Sequence, residues 1–272
     1  MSDSPIIIND NDDLIRDNTE NNITLKKPVQ KLLSSGFSII NNYNYCNVEL
    51  DAESIYYSII ENIRANESIN KYVLVIADTH NSEHFIDVII DVANRLGIKN
   101  ILHAGDIVTD RTLTKFNQYR GKLSVTFGNH DKQIADKKQL NRICRKYKFT
   151  HHNAFIRLNL LGKSFVLTHG NDTPLIMKLI FNNDFDYLIL GHYHRRLLMH
   201  NPSGKKYVIN PGAFCENPLP SVEHDNVPSF VLLPINVNNP HDITFYHIIT
   251  EKEKRRFRKA YKKKNQEKQG LQ

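Results

Sequence analysis

A chain of 272 residues, 40% hydrophobic and 24% charged, is long enough for one sizeable core with extensions and short for two full domains. Its three cysteines, Cys46, Cys144 and Cys215, are far apart and odd in number, which argues against a disulfide framework and against zinc-type cysteine pairing and fits a reducing compartment. The formal charge of +7 is local: residues 251–272 hold ten Lys/Arg against three Glu, leaving 26 against 26 in residues 1–250.

In chain order, residues 1–24 are acidic, Asn-rich and aperiodic, and are expected to lack fixed structure. They carry Asp3, Asp10, Asp12 and Asp13 in place of a basic leader and apolar run, and no stretch approaches the ~20 apolar residues of a membrane span. A soluble, cytoplasmic protein with no membrane span is expected. The Asn-x-Thr triplets at Asn22 and Asn171 read as accidents of composition. Residues 25–70 form an extension expected to pack on the main domain, with a short helix at "VQKLLSS" and a second, capped by Asp51, through "ESIYYSIIENIR" with Ile55, Ile59 and Ile63 on one face.

From residue 71 to about 250 a strand and helix alternation sets in. "KYVLVIA" reads as a buried strand. "SEHFIDVIIDVANRLG" reads as a helix with Ser82 at its start, Phe85, Ile89, Val92 and Leu96 inward, and Gly97 at its stop. Strands follow at "NILHAG" and "LSVTFG", then a helix through "QLNRICRKY", and a strand pair "AFIRLNLLGKSFVLTHG" turning at Leu161-Gly162-Lys163. Further strands are predicted at "YLILG", "YVIN", "SFVLLPI" and "ITFYHII". The pattern predicts an α/β sandwich with a mixed sheet or paired sheets. The tail, residues 251–272, reads as a solvated terminus, with nucleic-acid binding by phosphate neutralisation as the alternative.

Five predicted strands run out into loops of ligand-type residues: "ADTH" (77–80), "AGD" (104–106), "GNHD" (128–131), "THG" (168–170) and "GHYH" (191–194). The carboxyl ends of strands in α/β folds form the crevice where ligands bind, so these loops are expected to converge. Asp78 with His80, and His192 with His194, stand two apart, and in an extended segment such positions project to the same side. Mixed carboxylate, amide and imidazole donors suit divalent cations such as Mn²⁺, Fe²⁺, Zn²⁺ and Ni²⁺, and six or seven donors exceed what one tetrahedral ion needs. Two ions about 3.5–4 Å apart, sharing a carboxylate and a hydroxide that attacks phosphorus in line, are the natural reading. Each residue alone has a structural reading as a cap, a turn residue or a hydrogen-bonded histidine; their recurrence at five strand ends favours the metal site.

These blocks, in this order, resemble the calcineurin-like metallophosphoesterases, whose pattern is D-x-H, G-D, G-N-H-D/E, a later H and G-H-x-H. The compact length, "GNHD" and "INPGAF" (209–214) are most similar to the small phosphodiesterase branch, which also contains the vacuolar-sorting retromer subunit. The resemblance implies a β-sandwich flanked by helices, of αββα type. It implies that Asp78, His80 and His194 hold one ion, that Asn129, His169 and His192 hold the other, and that Asp106 bridges them. It places His130 beside the phosphate as a charge stabiliser or proton donor, with Asp131 as the candidate to orient it. Mn²⁺ is the expected metal, with Fe²⁺, Zn²⁺, Ni²⁺ or Mg²⁺ as alternatives, and the expected substrate is a small phosphodiester or nucleotide-like ester. A nuclease or phosphomonoesterase using the same site, and a non-catalytic retromer-like scaffold, are the competing readings; the oligomeric state is not readable. Arg111, Arg195 and Arg196 adjoin the metal loops and read first as solvated cations, with phosphate contact as the alternative. His151, His152, His200, His224, His241 and His247 fall outside the pattern and read as surface or loop residues.

Overall fold

The computed structural model describes residues 27–63, 68–134, 137–216 and 227–249; the acidic stretch 1–24 and the basic tail 251–272 lie outside the described residues. The strands are β1 (Ser38–Ile39), β2 (Asn44–Glu49), β3 (Tyr72–Ile76), β4 (Asn100–His103), β5 (Lys122–Thr126), β6 (Thr150–His152), β7 (Phe155–Leu160), β8 (Lys163–Thr168), β9 (Tyr187–Ile189), β10 (Arg196–Asn201), β11 (Lys206–Pro211), β12 (Ser229–Pro234) and β13 (Thr244–Ile249). The helices are α1 (Lys27–Ser34), α2 (Ala52–Asn62), α3 (Glu83–Leu96), α4 (Asp110–Lys115), α5 (Asn129–Ile134), α6 (Lys137–Lys146) and α7 (Thr173–Asn182).

Two mixed sheets form, ordered β1-β10-β11-β9-β8-β7 and β2-β13-β12-β3-β4-β5-β6. Strand β3 shows why they stack. Its residues are buried without alternation, so both faces need cover. Val73, Val75 and Ala77 pack with Leu102, Phe165, Leu167, Ile189 and Ile209 in a core between the sheets. Tyr72, Leu74 and Ile76 face the other way, against Ile55 and Ile59 of α2 and Phe85, Ile89 and Val92 of α3. A third cluster packs Leu32 of α1 and Ile176, Leu179 and Ile180 of α7 on Val166, Leu188, Met199 and Val208 of the first sheet. The layers are therefore helix, sheet, sheet, helix, as expected.

Residues 27–63 are woven into both sheets. β1 pairs antiparallel with β10, β2 pairs in parallel with β13, and the Asp51 side chain accepts from Ser54 N–H at 2.8 Å to start α2. The turn between β7 and β8 puts Leu161 and Gly162 at φ 48° and 82°, the left-handed pair that a two-residue hairpin of matching twist requires. Ser82 stands at the start of α3 as expected, and its hydroxyl accepts from Glu216 N–H at 3.0 Å. One detail differs from expectation. His247 is buried, because β13 lies between β12 and β2. His151, His152 and His200 stand in β6 and β10, where His152 is exposed and His151 and His200 are half-buried.

Ile55 and Ile59 are fully buried, whereas Tyr57 between them is 55% exposed. Truncating either isoleucine to alanine should cost about 2–5 kcal/mol in denaturant unfolding, and Tyr57→Ala should be near neutral.

Candidate metal centre

β3, β4 and β5 run parallel in one sheet and β8 and β9 run parallel in the other. Their five carboxyl ends meet, and backbone bonds lace the loops together: Asp78 N–H to Gly105 O at 2.9 Å, His80 N–H to Asp106 O at 3.0 Å, and Gly191 N–H to His169 O at 2.9 Å. Contacts cross between the sheets as well, with His169 Nδ1 at 2.8 Å from Ala104 O and His192 N–H donating to the Asp78 carboxylate at 3.0 Å.

Donor atoms from Asp78, His80, Asp106 and His194 all lie within 4.8 Å of one another. His80 Nε2 and His194 Nε2 face each other at 3.0 Å, and His194 Nε2 is 3.6 Å from Asp78 Oδ1. Beside this group, His169 Nε2 is 3.0 Å from Asn129 Oδ1, and the His192 ring is 5.1 Å from the His169 ring. Asp106 stands between the two: its Oδ2 is 3.9 Å from His80 Nε2 and 3.4 Å from His169 Nε2. Because the His169 Nδ1 proton is spent on Ala104 O, its Nε2 is the atom turned inward.

The backbone is strained where the donors sit. Asp78, His80, Asp106, His192 and His194 all have positive φ, between 39° and 70°, a region that costs non-glycine residues on the order of 1–3 kcal/mol each. Space is tight too: a Cβ on Gly128 would lie 2.0 Å from Asp106 Oδ1, and one on Gly105 would lie 2.6 Å from His169 Nδ1. Glycine at 128 is required by that close approach.

Burial of so many ionisable groups redistributes protons. Burial opposes charge on Asp106, but its bond to His169 and the charges of His169, His80 and His130 outweigh it and hold the carboxyl below the usual range. Burial opposes charge on His169 as well, yet Asp106 and Asp78 push it up to about 9. Burial pushes Asp78 well above the usual carboxylate range, with Asp106 adding to the effect. Burial, helped by His80, holds His194 down at about 3.

Asp131 occupies a different position from the one expected of an orienting partner for His130. Its buried carboxylate accepts four backbone N–H groups: Asp106 at 2.9 Å, Ile107 at 2.8 Å, Val108 at 2.6 Å and Gly128 at 2.7 Å. It ties the "AGD" and "GNHD" loops together and supports Val108, a β-branched residue at φ 78°. The His130 N–H donates to Asp106 Oδ1 at 3.1 Å, and its half-buried ring lies 5.2 Å from the His80 ring. Arg111 turns outward to Glu83 at 2.8 Å, and Arg196 bonds Tyr43 and Val227 O.

Two supporting residues escaped the sequence reading. Fully buried His103 accepts Gly105 N–H on Nδ1 at 3.2 Å, which leaves Nε2–H to donate to Thr79 Oγ1 at 3.0 Å. Asn210 donates to Gly191 O at 2.7 Å and accepts Gly212 N–H at 3.0 Å, bracing the "GHYH" loop. The only sequence signals were a histidine on the last position of an apolar strand and an asparagine before Pro-Gly.

The family description "Calcineurin-like phosphoesterase superfamily domain" matches residues 72–237. The phosphodiesterase MJ0936 of Methanocaldococcus jannaschii is 25% identical over 141 residues, covering 52% of this chain and 82% of that protein. Among solved structures, a novel archaeal phosphodiesterase superposes with a TM-score of 0.53 at 20% identity, covering 65% of this chain and 99% of the other. Vps29 of Entamoeba histolytica complexed with zinc matches at 24% identity and a TM-score of 0.44, covering 61% and 86%.

A cation that binds His169 Nε2 must displace its proton, which is retained up to about pH 9. Affinity for Mn²⁺ should therefore rise with pH across the neutral range and level off near that value. Calorimetry in buffers of different ionisation enthalpy at about pH 7 should show proton release on binding.

Proposed function

The chain belongs to the calcineurin-like phosphoesterase superfamily, and from that premise we propose that it is a dinuclear, metal-dependent phosphoesterase acting on a phosphodiester. The observation that carries the proposal is the convergence of donor atoms from separate strand ends, with one carboxylate, Asp106, facing both halves of the set. The donor chemistry fits divalent cations: paired imidazole nitrogens 3.0 Å apart and two buried carboxylates make a costly cluster unless cations share it. Asp78, His80 and His194 would hold one ion, Asn129, His169 and His192 the other, and Asp106 both; Mn²⁺ is the favoured metal. When bound, such a pair supplies Lewis acidity that lowers the pKa of water and neutralises charge on phosphorus-bound oxygens.

The protein's own groups do the rest. Asp78 and Asp106 contribute two negative charges and the imidazoles and Asn129 none, so the loaded site keeps a net positive charge that attracts a diester anion. The His130 ring, partly open to solvent beside His80, would donate a proton to the leaving oxygen. Asp131 and His103 hold the loops that carry Asp106 and Asp78 in one geometry, which removes the need to order them during turnover. His80, His130, His192 and His194 are half-buried while Asp78, Asp106 and His169 are buried, so solvent meets the site at its imidazoles. The convergence of Asp78, His80, Asp106 and His194 supports an enzyme over a scaffold without activity. The phosphodiesterase name carried by MJ0936 supports a diester over a monoester.

With manganese and a chromogenic phosphodiester, wild-type protein should hydrolyse and a chelator should abolish turnover. Asp106→Asn should lose on the order of a thousandfold in kcat together with bound metal, as measured by elemental analysis. His130→Ala should keep its metal and lose on the order of a hundredfold in kcat; loss of metal would contradict its assigned role.

A further inference from the structure

We infer that the edge formed by the N-terminal ends of β3, β4, β5 and β6, opposite the metal loops, binds the phosphate backbone of a nucleic acid. Residues 1–250 balance in charge, yet the fold sorts that charge by position. Lys71 leads into β3, Lys99 into β4, Arg120 and Lys122 into β5, and Lys146 and Lys148 into β6, and all six are exposed. They are neighbours in space. Lys122 N–H bonds Lys99 O at 2.9 Å, and the registers Leu74↔Ile101 and Ser124↔Thr150 place Lys99 level with Tyr72, and Lys148 level with Lys122. With strands about 4.8 Å apart, the row spans roughly 15 Å, the reach of about four nucleotides.

No carboxylate among the described residues pairs with any of the six. Between Asp91 and Asp172 the described carboxylates are Asp106, Asp110 and Asp131, all just beyond the carboxyl ends of β4 and β5. The described acids of this stretch therefore lie at the metal end, and the six cations stand at the other. Surface cations in a row attract a polyanion and release its counterions.

The composition of the edge selects among polyanions. Among the described residues the large exposed hydrophobics are Leu33, Tyr45, Tyr57, Ile60, Leu161 and Phe181, and none belongs to β3–β6 or to the residues leading directly into them. A membrane-binding face would carry apolar anchors, and a protein interface would carry an apolar centre. What the edge does carry is Tyr147, half-buried, with Lys146 Nζ 4.9 Å from its ring and the Phe149 ring 5.8 Å away. Cations flanking an aromatic ring suit a single-stranded backbone with a base laid on the ring.

The test uses the full chain, so that the basic tail is constant throughout, and a fluorescein-labelled single-stranded oligonucleotide of about twenty nucleotides, followed by anisotropy over a salt titration. The triple variant Lys99→Glu/Lys122→Glu/Lys148→Glu should weaken binding at least about tenfold at ~0.1 M salt and reduce the slope of log K against log salt by about 2. A control, Lys178→Glu/Lys205→Glu, placed on exposed cations elsewhere, should stay within about twofold of wild type. Thermal unfolding checks that the triple variant is folded, and the glutamine triple at the same positions replaces it if it is not. Equal affinity and slope for the triple variant and the control would overturn the proposal. So would loss of binding to phosphatidylserine vesicles with oligonucleotide binding unchanged.

Discussion

The structure depends on keeping five donor residues in left-handed backbone conformations at the ends of buried strands. Asp78, His80, Asp106, His192 and His194 each adopt a backbone that their side chains disfavour, and Asp78, His80, Asp106 and His194 bring ligand-type atoms within 4.8 Å of one another. A relaxed loop would let these side chains diverge into solvent. What opposes relaxation is a set of buried hydrogen bonds from groups that are not donors themselves. The Asp131 carboxylate collects four N–H groups from two loops, His103 joins Thr79 to Gly105, and Asn210 joins Gly191 to Gly212. Charge-assisted bonds to a carboxylate are the strong kind, and four of them on one buried side chain oppose the strain of these loops.

That anchoring works because the strands beneath it cannot shift. β3 is covered on one face by the other sheet and on the opposite face by α2 and α3, so Asp78 leaves a segment fixed on both sides. The same double cover applies to β8 and β9, whose outer faces lie under α1 and α7. The two sheets thus bring their carboxyl ends to one place, and inter-sheet bonds such as His192 N–H to Asp78 set the distance between them. The proton pattern follows from that packing: a low-pKa Asp106 against a high-pKa His169 is how the buried cluster balances its charge when protons alone are available.

The parts legible in the sequence were those with a strong local signature. The apolar run before Asp78, the 3.6-residue spacing of Phe85, Ile89, Val92 and Leu96, and the Leu161-Gly162 turn all specify their structure from near neighbours. Five donor blocks at strand ends specified a shared site. β2 was not legible, because only Val48 of its six residues is buried and its pairing with β13 is some two hundred residues distant in sequence. α4 is a turn and a half long and α7 is apolar nearly throughout, so neither shows a clean amphipathic period. The role of Asp131 was hidden for a different reason: nothing in "GNHD" says whether its carboxylate faces an imidazole or the amides of a neighbouring loop, and only the spatial meeting of residues 106–108 with 128 decides it. The charge sorting along β3–β6 was hidden too, since lysines and aspartates alternate in sequence and separate only when parallel strands align their ends.

The central claim is that separate strand ends cage a pair of cations around Asp106. Crystals of manganese-loaded protein, measured at the manganese absorption edge, test it most directly. The account predicts two anomalous peaks about 3.5–4 Å apart on either side of the Asp106 carboxylate, one beside Asp78, His80 and His194 and one beside Asn129, His169 and His192. A single peak, or a pair that leaves Asp106 uncoordinated, would contradict it.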